Sequence, residues 1–415
     1  MNDSTSRVRR GVLKAGAAVA TLGALGFPAI SRGQAEAIRI GHLTPLTGFL
    51  GPLGEYAVMG VKLAVEEINT SGGVMGRKFE LIAEDSVNPQ TASTKAARLI
   101  ERDKVVAIIG EISSASGLAI AQVAQRNKIL FFNTGCNSDE LRGKACNRYM
   151  FHTEAANTMY VYACGQALLR DGMIKGKKWY ALTADYAFGH DLLKAAKIFF
   201  DANQATLLGD ELIATDVTDF SPYLLKVRQA KPDVVCCNLA GNQVTNLIKQ
   251  YAEFGLPYPI VGFNLNTADA WAAGEGNLSG TWPTVWHHDL DVPASKEFVA
   301  AFVKKHGKPP ENHAWIEYIS FRIMAHAMNE TKSTDSEKLI AYLEKQSEFD
   351  ILKGRKGYFR AWDHQLIQEA YPFSVKPKGQ SKDKWDFLAL GPAIPNANEP
   401  LEVINPTKEQ NPCTL

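Results

Sequence analysis

An α/β fold of two lobes, each a parallel sheet flanked by helices, is predicted by three observations. Short apolar runs rich in β-branched residues alternate with stretches of helical apolar spacing, once over residues 38–135 and again over 155–263. The strand-like runs end in small polar loops, as at Ser113-Ser114-Ala115-Ser116 and at Gly135-Cys136-Asn137. The chain's 415 residues, 46% hydrophobic and 21% charged, are enough for two cores.

Residues 105–137 carry the pattern most clearly. Residues 105–109 form a buried strand bounded by Gly110, residues 118–125 have helical spacing, and residues 129–132 form a second strand. Two adjacent parallel strands set their polar loops side by side at the C-terminal edge, where open α/β sheets bind ligands. A helix starting near Ser113 offers unpaired N–H groups and a partial positive charge, so a carboxylate is a natural guest. The plainer alternative is that these serines only cap the helix.

Taken in order, the chain begins with a strand over 38–43, a Gly/Thr-rich loop and a helix over 57–69 that stops at Ser71-Gly72-Gly73. A strand over 79–84 and a helix over 89–102 lead into the segment just described. The second half has helices over 155–170, 191–202, 219–231 and 241–254, interleaved with strands over 178–183, 205–211, 234–238 and 259–263. The pattern changes at 280–293, followed by helices over 294–306, 314–329 and 337–345, strand-like segments over 357–375 and 385–389, and an extended tail over 393–415.

Lys+Arg 45 against Asp+Glu 44 gives a net charge of +1, which argues against nucleic acid or an anionic membrane surface as partner. The loop glycines Gly48, Gly51 and Gly54 do not make G-x-G-x-x-G, and no Walker lysine occurs, so no nucleotide cofactor is expected. No G-x-S-x-G elbow is present, and the chain does not read as an enzyme. His287-His288 with Asp289 and Asp291 lacks helical i, i+4 geometry, so no metal is expected there. Tyr186, Phe188, Trp271, Trp282 and Trp286 are candidates to line an apolar pocket.

Residues 1–35, with Arg9-Arg10 ahead of an Ala/Gly-rich apolar stretch, resemble a twin-arginine export signal and point to the periplasm. Six cysteines then face an oxidising compartment, and Cys136 and Cys146, bracketing a short polar excursion, are expected to pair. Cys236-Cys237 read as buried thiols.

The string Gly60, Ala64, Ile68, Asn69, Gly72, Gly73, Gly76, Arg77, followed in order by IGEISSAS, FFNTGCNSDEL, TADYAFGHD and GFNLNTADAW, resembles type I periplasmic solute-binding proteins of the leucine/branched-chain-amino-acid group. The resemblance implies two Rossmann-like lobes joined by three crossovers, near 155, 283 and 360, that close on a ligand. Lobe 1 would be 37–155 plus 284–360, and lobe 2 would be 156–283 plus 361–392. It places the ligand carboxylate at Ser113, Ser114, Ala115 and Ser116 and at Gly135, Cys136 and Asn137. Leu53 and Phe188 fall at family tyrosines, Tyr186 lies beside the latter, and Asn264 falls where the amino-acid binders hold the ligand ammonium with an acid. Asp185 and Glu111 are the nearby acids that could substitute. These departures imply a small organic carboxylate, aromatic or otherwise hydrophobic, captured by a monomer for the permease subunits of an ABC importer. The alternatives are a binder of branched-chain amino acids or amides, or a ligand-sensing receptor component.

Overall fold

The computed structural model describes residues 36–415 as one compact unit. The expected export signal lies outside the described residues.

The first lobe contains β1 (Ile38–Thr44), α1 (Gly51–Thr70), β2 (Phe79–Asp85), α2 (Pro89–Glu101), β3 (Ala107–Gly110), α3 (Ser114–Asn127), β4 (Leu130–Asn133) and β5 (Met150–His152). Its sheet is parallel, in the order β2-β1-β3-β4-β5. Every residue of β3 and β4 is buried, as expected of central strands covered on both faces. Asn88 caps α2 by accepting the Thr91 N–H at 2.9 Å, with Pro89 in the first turn.

Helix α1 starts six residues before the expected 57. Its glycines allow close packing rather than a loose loop: a Cβ on Gly54 would collide with the Pro45 carbonyl, and one on Gly60 with the backbone of Ala314.

The second lobe contains α4 (Asn157–Arg170), β6 (Lys178–Ala184), α5 (Ala187–Ala202), β7 (Thr206–Ile213), α6 (Ser221–Ala230), β8 (Val234–Asn238), α7 (Asn242–Phe254), β9 (Ile260–Val261) and α8 (Thr267–Ala273). The parallel order β7-β6-β8-β9 repeats that of the first sheet. The remainder is β10 (Thr281–Thr284), α9 (Pro293–His306), α10 (Asn312–Thr331), α11 (Ser336–Leu343), β11 (Tyr358–Phe359), β12 (Leu366–Ile367), β13 (Tyr371–Val375) and β14 (Leu388–Leu390). Strands β10, β13 and β14 form an antiparallel sheet beside α4, whereas α9 and α10 return to pack on α1.

The chain therefore passes between lobes after β5, after β10 and before β13. The β11–β12 hairpin stays with the first lobe: Phe359 packs edge-on to Phe151 at 5.1 Å, and the His152 N–H donates to His364 O at 2.9 Å. The chain up to Ile367 is thus packed against β5.

The expected Cys136–Cys146 bridge is not formed. Cys146 pairs with Cys413, 267 residues away, with Cα atoms 5.7 Å apart. Cys136 is a buried free thiol directed at the carbonyls of Glu111 and Ser113, at 3.3 and 3.4 Å, beneath the first turn of α3. The 3-10 turn Asp139–Leu141 and the buried Arg142 separate the two cysteines, so nearness in sequence does not become nearness in space. The tail is held along its length rather than simply extended. It passes α4 at Tyr162 and Gln166, forms a 3-10 turn at Leu401–Ile404, and accepts from Arg360 Nη1 at Pro406 O, 3.0 Å.

Candidate functional site

The C-terminal edges of the two parallel sheets meet in a closed cleft. Phe49, in the β1–α1 loop, accepts the Asn242 N–H at 2.9 Å, and its ring lies 5.8 Å from that of Tyr186. Asn312 Nδ2 donates to Asn266 Oδ1 at 3.0 Å across the same gap. Asp191 of α5 accepts from the Ser138 hydroxyl and, at 3.0 Å, from the Glu140 N–H.

On the first lobe the turn out of β3 is conformationally unusual. Gly110 has φ 127° and Glu111 has φ 80°. A Cβ at Gly110 would run into Leu43 O, and a left-handed glutamate costs on the order of 1–3 kcal/mol. The turn is held by Glu111 Oε1, which accepts the N–H groups of Ile112 at 3.1 Å and Ser113 at 2.8 Å. Ser113 occupies the N-cap position of α3 but makes no side-chain cap bond. Ser114 Oγ instead accepts the Ser138 N–H at 3.2 Å. Among the described residues, no acceptor meets the N–H groups of Ser114, Ala115 and Ser116, which open α3.

The second expected anion loop is differently employed. Asn133 Oδ1 takes the N–H groups of Gly135 at 3.3 Å and Cys136 at 2.8 Å, and Asn137 Nδ2 donates to Ala155 O at 3.1 Å. These groups shape the cleft wall, while the free N–H donors belong to α3.

On the second lobe Tyr186 begins α5, with Phe188 5.6 Å from it, ring to ring. Burial, then the charges of Cys136, Glu111 and Asp269, push the Tyr186 hydroxyl well above the usual tyrosine range. Phe188 is buried and its carbonyl accepts Asn157 Nδ2 at 3.0 Å. Leu53 is fully buried near the start of α1, and Asn264 is buried just after β9.

Two acids stand out: Asp269, which the sequence did not single out, and Glu111, expected only as a possible substitute for an acid at Asn264. Asp269 Oδ2 accepts the Gly241 N–H at 3.2 Å and Asn266 Nδ2 at 3.1 Å, and burial pushes its carboxyl up to about 7. Glu111 is fully buried and pushed to about 7 for the same reason. The available signals were an acid between a strand-ending glycine and a serine run, and an acid in the first turn of a helix following a sheet edge.

The other constellations are paired within themselves. Asp185 and His190 form an exposed pair at 2.8 Å, and Arg360 Nε meets Asp363 Oδ1 at 3.0 Å. His287, His288 and Asp289 bring ligand-capable atoms within 4.8 Å of one another at the second crossover, but His287 Nδ1 already accepts the Asp289 N–H at 3.2 Å.

The model of a family described as periplasmic binding protein matches residues 37–381. A Leu/Ile/Val-binding protein homolog 7 of Brucella melitensis is 28% identical over 341 residues, covering 75% of this chain and 83% of its own. The crystal structure of a periplasmic binding protein from Burkholderia mallei superposes with TM-score 0.84 at 28% identity, covering 91% of this chain and 99% of its own. A solute-binding protein of an ABC transporter from R. palustris, in complex with benzoate, gives TM-score 0.78 at 23% identity over 92% of this chain and all of its own, a likeness of fold alone.

Proposed function

Since the chain belongs to the periplasmic binding protein family, we propose that it is the solute-binding subunit of an ABC importer, capturing a small organic carboxylate between its lobes. The carrying observation is the start of α3, whose N–H groups at Ser114, Ala115 and Ser116 have no acceptor among the described residues and lie at the cleft edge of the sheet. A carboxylate there receives charge-assisted hydrogen bonds and the favourable end of the helix dipole. Ser113 and Asn137 adjoin it, and Leu53, Phe49, Tyr186 and Phe188 supply apolar surface, which favours an aromatic or otherwise hydrophobic acid. The closing bodies are proposed as 37–155 with 284–367 and 156–283 with 368–392, the third boundary following the β11–β12 contacts. The permease subunits are its partners, and it acts as a monomer without enzymatic turnover, after export to the periplasm.

A second reading, an α-amino acid or its amide, is favoured by Asp269. Five positions beyond Asn264, this carboxylate supplies the acid that Asn264 lacks, and an ammonium buried beside it would be paired. The type of the Brucella relative agrees with that alternative.

Thermal shift with benzoate, cinnamate-type acids, leucine, isoleucine, valine and urea tests both. A ligand at ~100 times its Kd adds about 2.7 kcal/mol, visible as a rise in Tm. A rise with the acids supports the first reading. A rise with the branched amino acids alone replaces it with the second.

A further inference from the structure

The lobe 1 sheet has its topological switch point between β1 and β3, which leave their shared edge in opposite directions to β2 and β4. Three side chains stand at the C-terminal ends of the adjacent strands β2, β1 and β3: Ser86, Thr44 and Glu111. Each is essentially without solvent exposure, at 1%, 0% and 0%. Thr44 Oγ1 has no hydrogen-bond partner, and Ser86 Oγ and Glu111 Oε2 have none but each other, the Ser86 hydroxyl facing the Glu111 carboxyl.

Native interiors rarely leave a buried polar group unpaired, because it forfeits its hydration without a replacement. With at most one hydroxyl shared between Ser86 and Glu111, these three groups keep unused acceptor capacity at one sheet edge, beside the start of α3, and form an acceptor-rich subsite. The left-handed backbone of Glu111 belongs to the same feature. It lets Oε1 brace the α3 entrance while Oε2 keeps acceptor capacity beyond its contact with the Ser86 hydroxyl. Asp85, next in chain to Ser86, is occupied elsewhere: it accepts the Leu46 N–H at 2.9 Å and the Thr47 hydroxyl at 2.7 Å, fixing the loop above.

Resting on the carboxylate-capture reading, we propose that Thr44, Ser86 and Glu111 form a second polar subsite of the cleft, which selects ligands carrying a hydrogen-bond-donating group, hydroxyl or amino, in addition to the carboxylate. An acid with a bare hydrocarbon body leaves this subsite unpaired. A hydroxy- or amino-substituted acid satisfies it. The two donor types differ in charge, so the glutamate variants separate them. Glutamine at 111 retains an acceptor oxygen for a hydroxyl but removes the charge that an ammonium needs, whereas alanine removes both.

The test is calorimetric titration of the purified protein with matched ligands. One set is benzoate, 3- and 4-hydroxybenzoate and 4-aminobenzoate. A second is 4-methylpentanoate, its 2-hydroxy derivative and leucine. A third lacks the carboxylate and contains leucinamide, benzamide and urea. The wild type is expected to bind at least one donor-bearing compound tenfold or more tightly than its unsubstituted parent. That advantage should fall below threefold in Glu111→Ala and weaken in Ser86→Ala, which keeps the assay informative if the first variant folds poorly. Retention in Glu111→Gln identifies a hydroxyl donor, and loss identifies an ammonium. If parent acids bind as tightly as every substituted acid, or the advantage survives in both alanine variants, the subsite is overturned while carboxylate capture stands. If only the amides bind, and do so through Glu111, the subsite stands and the carboxylate reading falls. If no donor-bearing compound of any set binds, the subsite is overturned.

Discussion

Glu111 holds its carboxyl away from water, and burial raises it to about 7 against the opposing effect of nearby hydrogen-bond donors, the Ser86 hydroxyl first and then the N–H groups of Ser113 and Ile112. In the unfolded chain the same group titrates near 4.3. Between those values the folded protein keeps a proton that the unfolded chain has released, so stability falls as pH rises through about 4.5 to 7, with the full cost present above that window. That cost is on the order of 3 kcal/mol for a shift of this size. Glu111→Gln removes the ionisation. Without ligand, its Tm relative to wild type should therefore climb by a few degrees between pH 5 and pH 8, as followed by scanning fluorimetry. A difference that stays flat across this range would mean the carboxyl is ionised throughout. At this scale the serine run was legible, because small polar residues after an apolar strand have few other uses. Glu111 was harder to read, since its importance comes from a left-handed backbone that no local motif announces. The partner of Cys146 was harder still, because it lies in a tail whose path depends on the whole fold.

Helices α1 and α10 cross where Gly60 meets the backbone of Ala314, with no room for a Cβ. Gly60→Ala should destabilise the protein by ~1–3 kcal/mol through overpacking, despite the better helix propensity of alanine. Gly276→Ala, whose Cβ would meet nothing within 4 Å, is the matched control and should be near neutral. Urea denaturation of both variants measures the contrast, and equal midpoints would show that the helices part freely at Gly60. This contact also explains the misplaced start of α1. Glycines that admit a neighbouring backbone look, in sequence, like glycines of a turn. The long alternating elements were legible because a buried parallel strand and an amphipathic helix leave different periods. β5 escaped notice because three residues carry no period; its neighbours in the sheet define it.

For the whole molecule, two sheets of the same strand order face each other edge to edge, and the chain passes between them three times. Repeated βα alternation made two lobes legible. Which loops close on one another was not, because contacts such as Asn242 to Phe49 join residues 193 positions apart in chain number, and local spacing does not carry such distances.

The Cys146–Cys413 bond turns most of this chain into a macrocycle. Residues 147–412 form its circumference, and all three passages between lobes lie on that circumference. A macrocycle needs two cuts before it yields two molecules. A single proteolytic nick anywhere along residues 147–412 should leave one covalent body of full mass. Brief trypsin treatment is therefore expected to give one band on a non-reducing gel and separated fragments once dithiothreitol is added. Fragments that part without reductant after a single cut would show the circle to be open. A periplasmic protein closed in this way would keep both halves of its binding cleft on one molecule after the first encounter with a protease.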